Sequence, residues 1–483
     1  MNTVRLVLPT ALLLYFLWRS RRQRVFLLGL PFLMNMYFSV FFDRLRPFWV
    51  PSAWQPADHM MLWLVVTWIV YFDLVLPWRR RTVRERRVFG PRLSAPEEVV
   101  LVGFMAYALF KVGTTAVHHM DLGTAIGEAR IPLYMFAGYL LLRGILCHAA
   151  RKETVDLLAA VVVVNSVAAG LYVLHQGLHL YIYAGMVEYQ YIVVNGEILT
   201  RSFYFMPQYL PLAVGLCVAR RKWNLFWVGV FAVNLAAIWL SYTRALIGVV
   251  VVEIAVILAM RLLKQGDVWR AVKRGLQIAV ILVVFVGTAF VLLPTQSAYL
   301  MSRLTETTSQ GSARTDSNLE YRFIWWRTTI EWLGGENRLS GVGFPSSAQD
   351  VRVTDIAVMA PDIMWVPVLW SMGLLGVAGL AGLFAVILWR AASLSLTSGG
   401  DAALLSTALT GWILAVVLLG LREWVIYDPW HTPLALSFFA LLTAETQRQR
   451  TEARQRTVVV SDDRVAIVGV RPESFRQEEG RSP

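Results

Sequence analysis

Residues 295–363 open on TQSAYLMSRL (295–304), pass through SNLEYRFIWWRTTIEWL (317–333) and SGVGF (340–344), and close on VMAPDIMW (358–365). The stretch is too polar to span a bilayer and lacks the biased composition of a tail, yet apolar runs flank it on both sides. A connection of this length between spans is uncommon unless it has a role. We read it as a cap over a membrane domain that helps to build the site, with residues 317–333 as an amphipathic helix.

Outward from the cap, 57 % of residues are hydrophobic and 16 % charged, and the mean hydropathy is +0.54. That is more apolar sequence than a soluble core needs, so the chain reads as a polytopic membrane protein. Apolar runs fall near 4–18, 25–42, 60–78, 97–117, 130–147, 155–176, 203–219, 225–241, 244–263, 275–294, 363–390, 402–421 and 429–444. They lack the alternation of barrel strands, and backbone in hydrocarbon must satisfy its own hydrogen bonds. The expected fold is all-α, with roughly twelve to fourteen transmembrane helices. Residues 1–294 would hold ten of them, 295–362 the cap, 363–446 the last three, and 447–483 a largely disordered tail.

The net charge of +13 does not point to nucleic acid, because the arginines sit in short loops between apolar runs. RSRRQR (19–24), RRRTVRERR (79–87), HAARK (148–152), RRK (220–222), RLLKQGDVWRAVKR (261–274), the Arg390 turn and the tail from Arg448 occupy alternate connections. By the positive-inside rule these face the cytoplasm, and the cap lies outside. RSRRQR follows the first apolar run instead of preceding it, which favours a retained span over a signal peptide. Cys147 and Cys217, far apart in sequence, read as free thiols.

Three arginines run against the charge bias on the outer side: Arg201 in RSFYFMPQYLPLA, Arg244 in LSYTRALIG and Arg322 in LEYRFIWW. A guanidinium stays charged and offers a planar fork suited to phosphate oxygens, so three that converge would hold a diphosphate. Taken singly, each could equally snorkel to water or pair with a carboxylate. His175 and His179 share a helical face and could bind a metal or form a structural pair. Asp43 and Arg44 follow the second span without the acidic partner that a metal site would want. Glu253 is the main acid within a span. The chain has no Walker loop, dinucleotide fingerprint, nucleophile elbow or paired CxxC.

The order of these pieces resembles the O-antigen ligase and O-antigen polymerase superfamily. Arg201, Phe203, Phe205, Pro207 and Gln208 open a span, and SYTRAL (241–246) follows the next. A large outer loop with Tyr321, Arg322 and Trp326 comes next, then GVGF (341–344) and a helix ending in GLLG (373–376). The resemblance covers roughly residues 200–380. It implies a GT-C-type glycosyltransferase in the bacterial inner membrane, acting at its periplasmic side on a polyprenyl-diphosphate-linked glycan. Neither a nucleotide-sugar donor, a cofactor nor a metal is expected. Arg201, Arg244 and Arg322 would bind the diphosphate, and Tyr321 and Trp326 would contact glycan. The ligases carry a His before the helix that follows the loop, and here the position reads MAPDIMW with Asp362. Asp362 is the base, or another group such as Asp350, Asp355 or Glu320 serves, or Asp362 is simply the N-cap of its helix, and the missing His favours polymerase over ligase. A lipid-linked glycan transporter is the reading from a different class, and would call for ionisable residues within spans and discontinuous helices.

Overall fold

The computed structural model describes residues 2–31, 56–71, 96–119, 130–178, 191–194, 197–200, 206–220, 222–265, 268–309, 327, 330–331, 333–343, 365–420, 440–446 and 448–449. The helices in chain order are α1 (Asn2–Ser20), α2 (Pro56–Ile69), α3 (Pro96–His119), α4 (Arg130–His148), α5 (Arg151–Leu178), α6 (Met206–Ala219) and α7 (Leu225–Leu240). After them come α8 (Arg244–Gln265), α9 (Val268–Leu292), α10 (Pro294–Ser309), α11 (Gly334–Ser340), α12 (Trp365–Thr397) and α13 (Gly400–Gly420). Among the described residues six segments are long and apolar enough to cross a membrane: Pro96–Thr115, Arg151–Leu174, Arg244–Lys264, Val272–Leu292, Val368–Thr397 and Gly400–Gly420. Shorter apolar helices run over Phe136–His148, Tyr209–Ala219 and Leu225–Leu240. The protein is an all-α, multi-pass membrane protein. The expected spans at 25–42, 60–78 and 429–444 are described only in part.

One β-hairpin interrupts the helices, with Tyr191–Val194 antiparallel to Glu197–Thr200 and Val194 opposite Glu197. In sequence, residues 177–200 are simply the connection between the apolar runs 155–176 and 203–219. The signal was there: Asn195-Gly196 between two β-branched runs is the dipeptide best suited to a two-residue hairpin turn.

α13 is the centre of the bundle, with 72 % of its span buried against 11 % for α9. α6, α8 and α12 pack around it, enclosing Ala408, Trp412 and Ile413 completely. α9 instead exposes Trp269, Val272, Leu276, Val280, Val283 and Val291. From Trp269 to Val283 they fall three or four residues apart, with Val291 two turns further on, which makes one exposed apolar face suited to hydrocarbon.

The described basic connections gather on one face of the bundle. Gln23 Nε2 donates to Asp156 (2.9 Å), and Arg448 donates to the carbonyls of Leu146 and Ala149 (2.6 Å each). Arg151 pairs with the buried Glu445 at 2.7 Å. Arg143 pairs with Glu98 at 2.8 Å, and Arg390 with Glu97 at 3.6 Å. Arg261 reaches the Ala219 carbonyl, and Lys264 the Ser395 carbonyl at 2.7 Å. Arg220 and Arg274 lie over the rings of Trp227 and Trp223, at 3.6 and 3.9 Å. Burial pulls the Arg220 guanidinium below its usual pKa, against the raising influence of Cys217, Asp156 and Asp401. Ends of α4, α6, α8 and α12 thus meet starts of α3, α5, α7, α9 and α13, the up-and-down alternation that the loop charges imply. Cys147 and Cys217 are free thiols.

Candidate functional site

The opposite face carries two built features. The first is the reversal between α7 and α8, residues 241–244. Ser241 Oγ donates to the Ile238 carbonyl (2.7 Å) and accepts from the Thr243 N–H (3.3 Å). Tyr242 adopts a left-handed φ of 52°, unusual for so bulky a residue. It is 1 % exposed, with its ring edge-on to Tyr299 of α10 at 5.4 Å. Tyr172 Oη donates to the Leu240 carbonyl (2.9 Å), and Trp239 Nε1 to Ser297 Oγ (3.4 Å). The turn is thereby held between α5 and α10, and it sets Arg244, half-buried, as the first residue of α8. A cationic fork at the start of a 22-residue helix suits an anion, since the helix end adds partial positive charge of its own.

The second feature is a broken helix. α12 loses helical geometry at Gly373 (φ 66°, ψ −165°). The carbonyls of Trp370, Ser371 and Met372 precede the break, and their helical partners, the N–H groups of residues 374–376, lie beyond it. Other donors reach all three. The N–H of Val342 donates to Trp370 (2.9 Å) and that of Gly343 to Ser371 (3.0 Å), while Tyr107 Oη donates to Met372 (3.0 Å). The same hydroxyl lies 3.1 Å from the Ser340 carbonyl, so one proton is shared between two acceptors. Lys111, one turn beyond Tyr107 on α3, donates through Nζ to the Gly341 carbonyl (3.1 Å).

Glycine is needed where the two backbones touch. Gly341 has φ 69°, and a Cβ there would stand 2.5 Å from the Gly373 nitrogen. GVGF was expected to precede a helix ending in GLLG. The helix from Trp365 does break at Gly373, the first residue of GLLG, and resumes to Thr397, and Gly341 and Gly373, the first glycines of the two motifs, are packed against each other.

Deeper in the bundle, Glu253 of α8 is fully buried. Among the described residues neither carboxyl oxygen has a hydrogen-bond partner. It sits where α8 crosses α6 and α13. A Cβ at Gly215 would collide with its Oε1, and one at Gly411 would stand 3.0 Å from that atom.

Of the expected site residues, Arg244 is placed at the head of α8. Arg201, Tyr321, Arg322, Trp326 and Asp362 lie outside the described residues, as do Glu320, Asp350, Asp355, His179, Asp43 and Arg44. His175 falls within α5. Among the described residues no three His, Cys, Asp or Glu side chains converge as metal ligands. The sequence reading missed Tyr107 and Lys111, although a lone lysine in VVLVGFMAYALFKVGTTAV (99–117) is itself a signal. No protein-family model matches the chain, and no curated protein matches it.

Proposed function

We propose that the protein is a membrane glycosyltransferase that moves glycan from a polyprenyl-diphosphate donor to a hydroxyl acceptor on the extracytoplasmic face, as a polymerase of O-antigen or exopolysaccharide type. One observation carries the reading: Arg244 of SYTRAL heads α8 on the face opposite the buried charge network. If the basic connections face the cytoplasm, that face is extracytoplasmic, where a lipid-linked glycan would be presented. Breaking a bond between sugar and phosphate puts negative charge on the leaving diphosphate and positive character on the sugar carbon. Fixed cations at the phosphate favour that separation, and this is the role proposed for Arg244 with Arg201 and Arg322. Asp362 is proposed to accept the proton of the acceptor hydroxyl, with Tyr321 and Trp326 against the sugar rings. No metal enters this scheme.

The test is replacement of Arg244 and of Arg322 by alanine, with high-molecular-weight glycan assayed beside the amount of folded protein in the membrane. Loss of polymer at unchanged protein level is expected, and normal polymer from both variants would remove the proposal. Ligase activity is the alternative within the same chemistry, distinguished by transfer of glycan to a lipid or protein acceptor. The break in α12 and the buried Glu253 favour a second reading, transport of lipid-linked glycan. Purified protein that forms polymer from lipid-linked units would exclude transport as its sole activity.

A further inference from the structure

Lys111 stands in the outer half of a membrane-crossing segment, 7 % exposed. An ammonium there is costly to bury. A leucine would fill the same space among apolar neighbours without that cost, so the charge has to be spent on something. Its Nζ reaches one acceptor, the Gly341 carbonyl (3.1 Å), and no carboxylate among the described residues pairs with it. Gly341 is also the residue whose left-handed backbone lies directly against Gly373. The next two N–H groups, of Val342 and Gly343, are the donors that satisfy the broken turn of α12. A charge-assisted bond to one carbonyl therefore fixes the peptide plane from which the rest of the junction follows.

We propose that Lys111 is a positioning residue. Its ammonium, with the Tyr107 hydroxyl one turn away, latches residues 340–343 into the break of α12. The latch fixes residues 340–343 against the α12 segment that begins at Trp365, the two described ends of the connection from 343 to 365. That connection includes Asp362, so the consequence for catalysis rests on the proposed transferase, whereas the latch itself does not.

The experiment has two arms on full-length protein in lipid nanodiscs. In the first, Cys147 and Cys217 are replaced by serine, and Ser371, which is 3 % exposed in the latched junction, is replaced by cysteine as a reporter for a soluble maleimide. Lys111→Met should speed labelling by about tenfold, the effect of losing one charge-assisted hydrogen bond on the population of the open junction. Lys111→Arg should stay within about twofold, because it keeps a cationic donor within reach. Tyr107→Phe should move labelling in the same direction as Lys111→Met, by less, and it covers the case in which Lys111→Met does not fold. Unchanged labelling in Lys111→Met, or in Tyr107→Phe if only that variant folds, overturns the latch.

The second arm measures transfer from a lipid-linked donor. Lys111→Met should lower kcat with KM nearly unchanged, and Lys111→Arg should restore kcat. Faster labelling with kcat intact would reduce Lys111 to a packing contact and overturn the positioning role. Absence of transfer by the parent protein would instead count against the proposed function and leave the labelling result standing.

Discussion

Lys111 and Glu253 are single ionisable residues in the interior of membrane-crossing helices, and the bundle treats them differently. Lys111 meets a neighbour whose backbone is broken, so a carbonyl is offered to it. Glu253 meets α6 and α13 along continuous helix, where backbone groups are already engaged with one another, and it is seated in space left by two glycines. A carboxylate can only accept, and along a continuous helix the backbone N–H groups already donate within it, whereas an ammonium can take a carbonyl that a break leaves open. The comparison separates a residue held by a bond from one held by shape.

The largest effect should come from reversing the shape-held site. Glu253→Lys puts a longer cation where there is neither an anion nor room, and should cost at least about 3 kcal/mol, read as loss of monodisperse protein in detergent size-exclusion. Gly411→Leu tests the same crossing without charge. Its Cβ would stand 2.7 Å from Ile257 and 3.0 Å from Glu253 Oε1, and the wedge should cost about 1–3 kcal/mol in thermal unfolding.

Next is the contrast between neutral replacements. Lys111→Met leaves the Gly341 carbonyl only the Ser340 hydroxyl at 3.5 Å and should destabilise by about 1–3 kcal/mol, whereas Glu253→Gln removes no bond and should change stability by less than about 1 kcal/mol. Equal losses in the two variants would mean that Glu253 has a partner after all, and the distinction would fall. At the small end, Arg327 and Glu331 form an exposed pair, 2.7 Å apart at one helical turn. Hydrogen bonding to Glu331 raises the Arg327 pKa, yet solvent screens such pairs, and Arg327→Ala should leave the melting temperature unchanged.

What could be read in advance follows from the same physics. Hydrocarbon excludes unsatisfied backbone and membranes sort positive loops to one side. Apolar runs thus located the six long apolar helices and three shorter ones among the described residues, and the arginine clusters their alternation, whereas the full set of roughly twelve to fourteen spans is not shown. The clustering of Gln23, Arg151, Arg390 and Arg448 with their partners on one face is what those loop charges imply. A helix end at GLLG is part of the resemblance, but what the break in α12 packs against was not legible, because GLLG looks like many apolar helix segments. Its meaning comes only from Gly341, 32 positions earlier in the chain, lying against Gly373. Tyr107 and Lys111 were overlooked for a related reason: their partners are backbone carbonyls, which no side-chain motif records. The hairpin at 191–200 was legible and was passed over, since a search for spans does not look for Asn-Gly. Of the candidate site, Arg244 alone is placed, at the start of a helix on the face opposite the buried charge network.

The sparse coverage of α9 has a consequence for how this molecule would respond to its solvent. A helix that offers most of its span to lipid feels acyl-chain length before its enclosed neighbours do, because thickness mismatch is relieved by tilt. α9 runs on through Leu293 into α10, whose Tyr299 lies against Tyr242 beside Arg244. Thinner or thicker bilayers would thus be transmitted as a lever motion to the arginine turn, and lipid chain length becomes a variable to control when this protein is reconstituted.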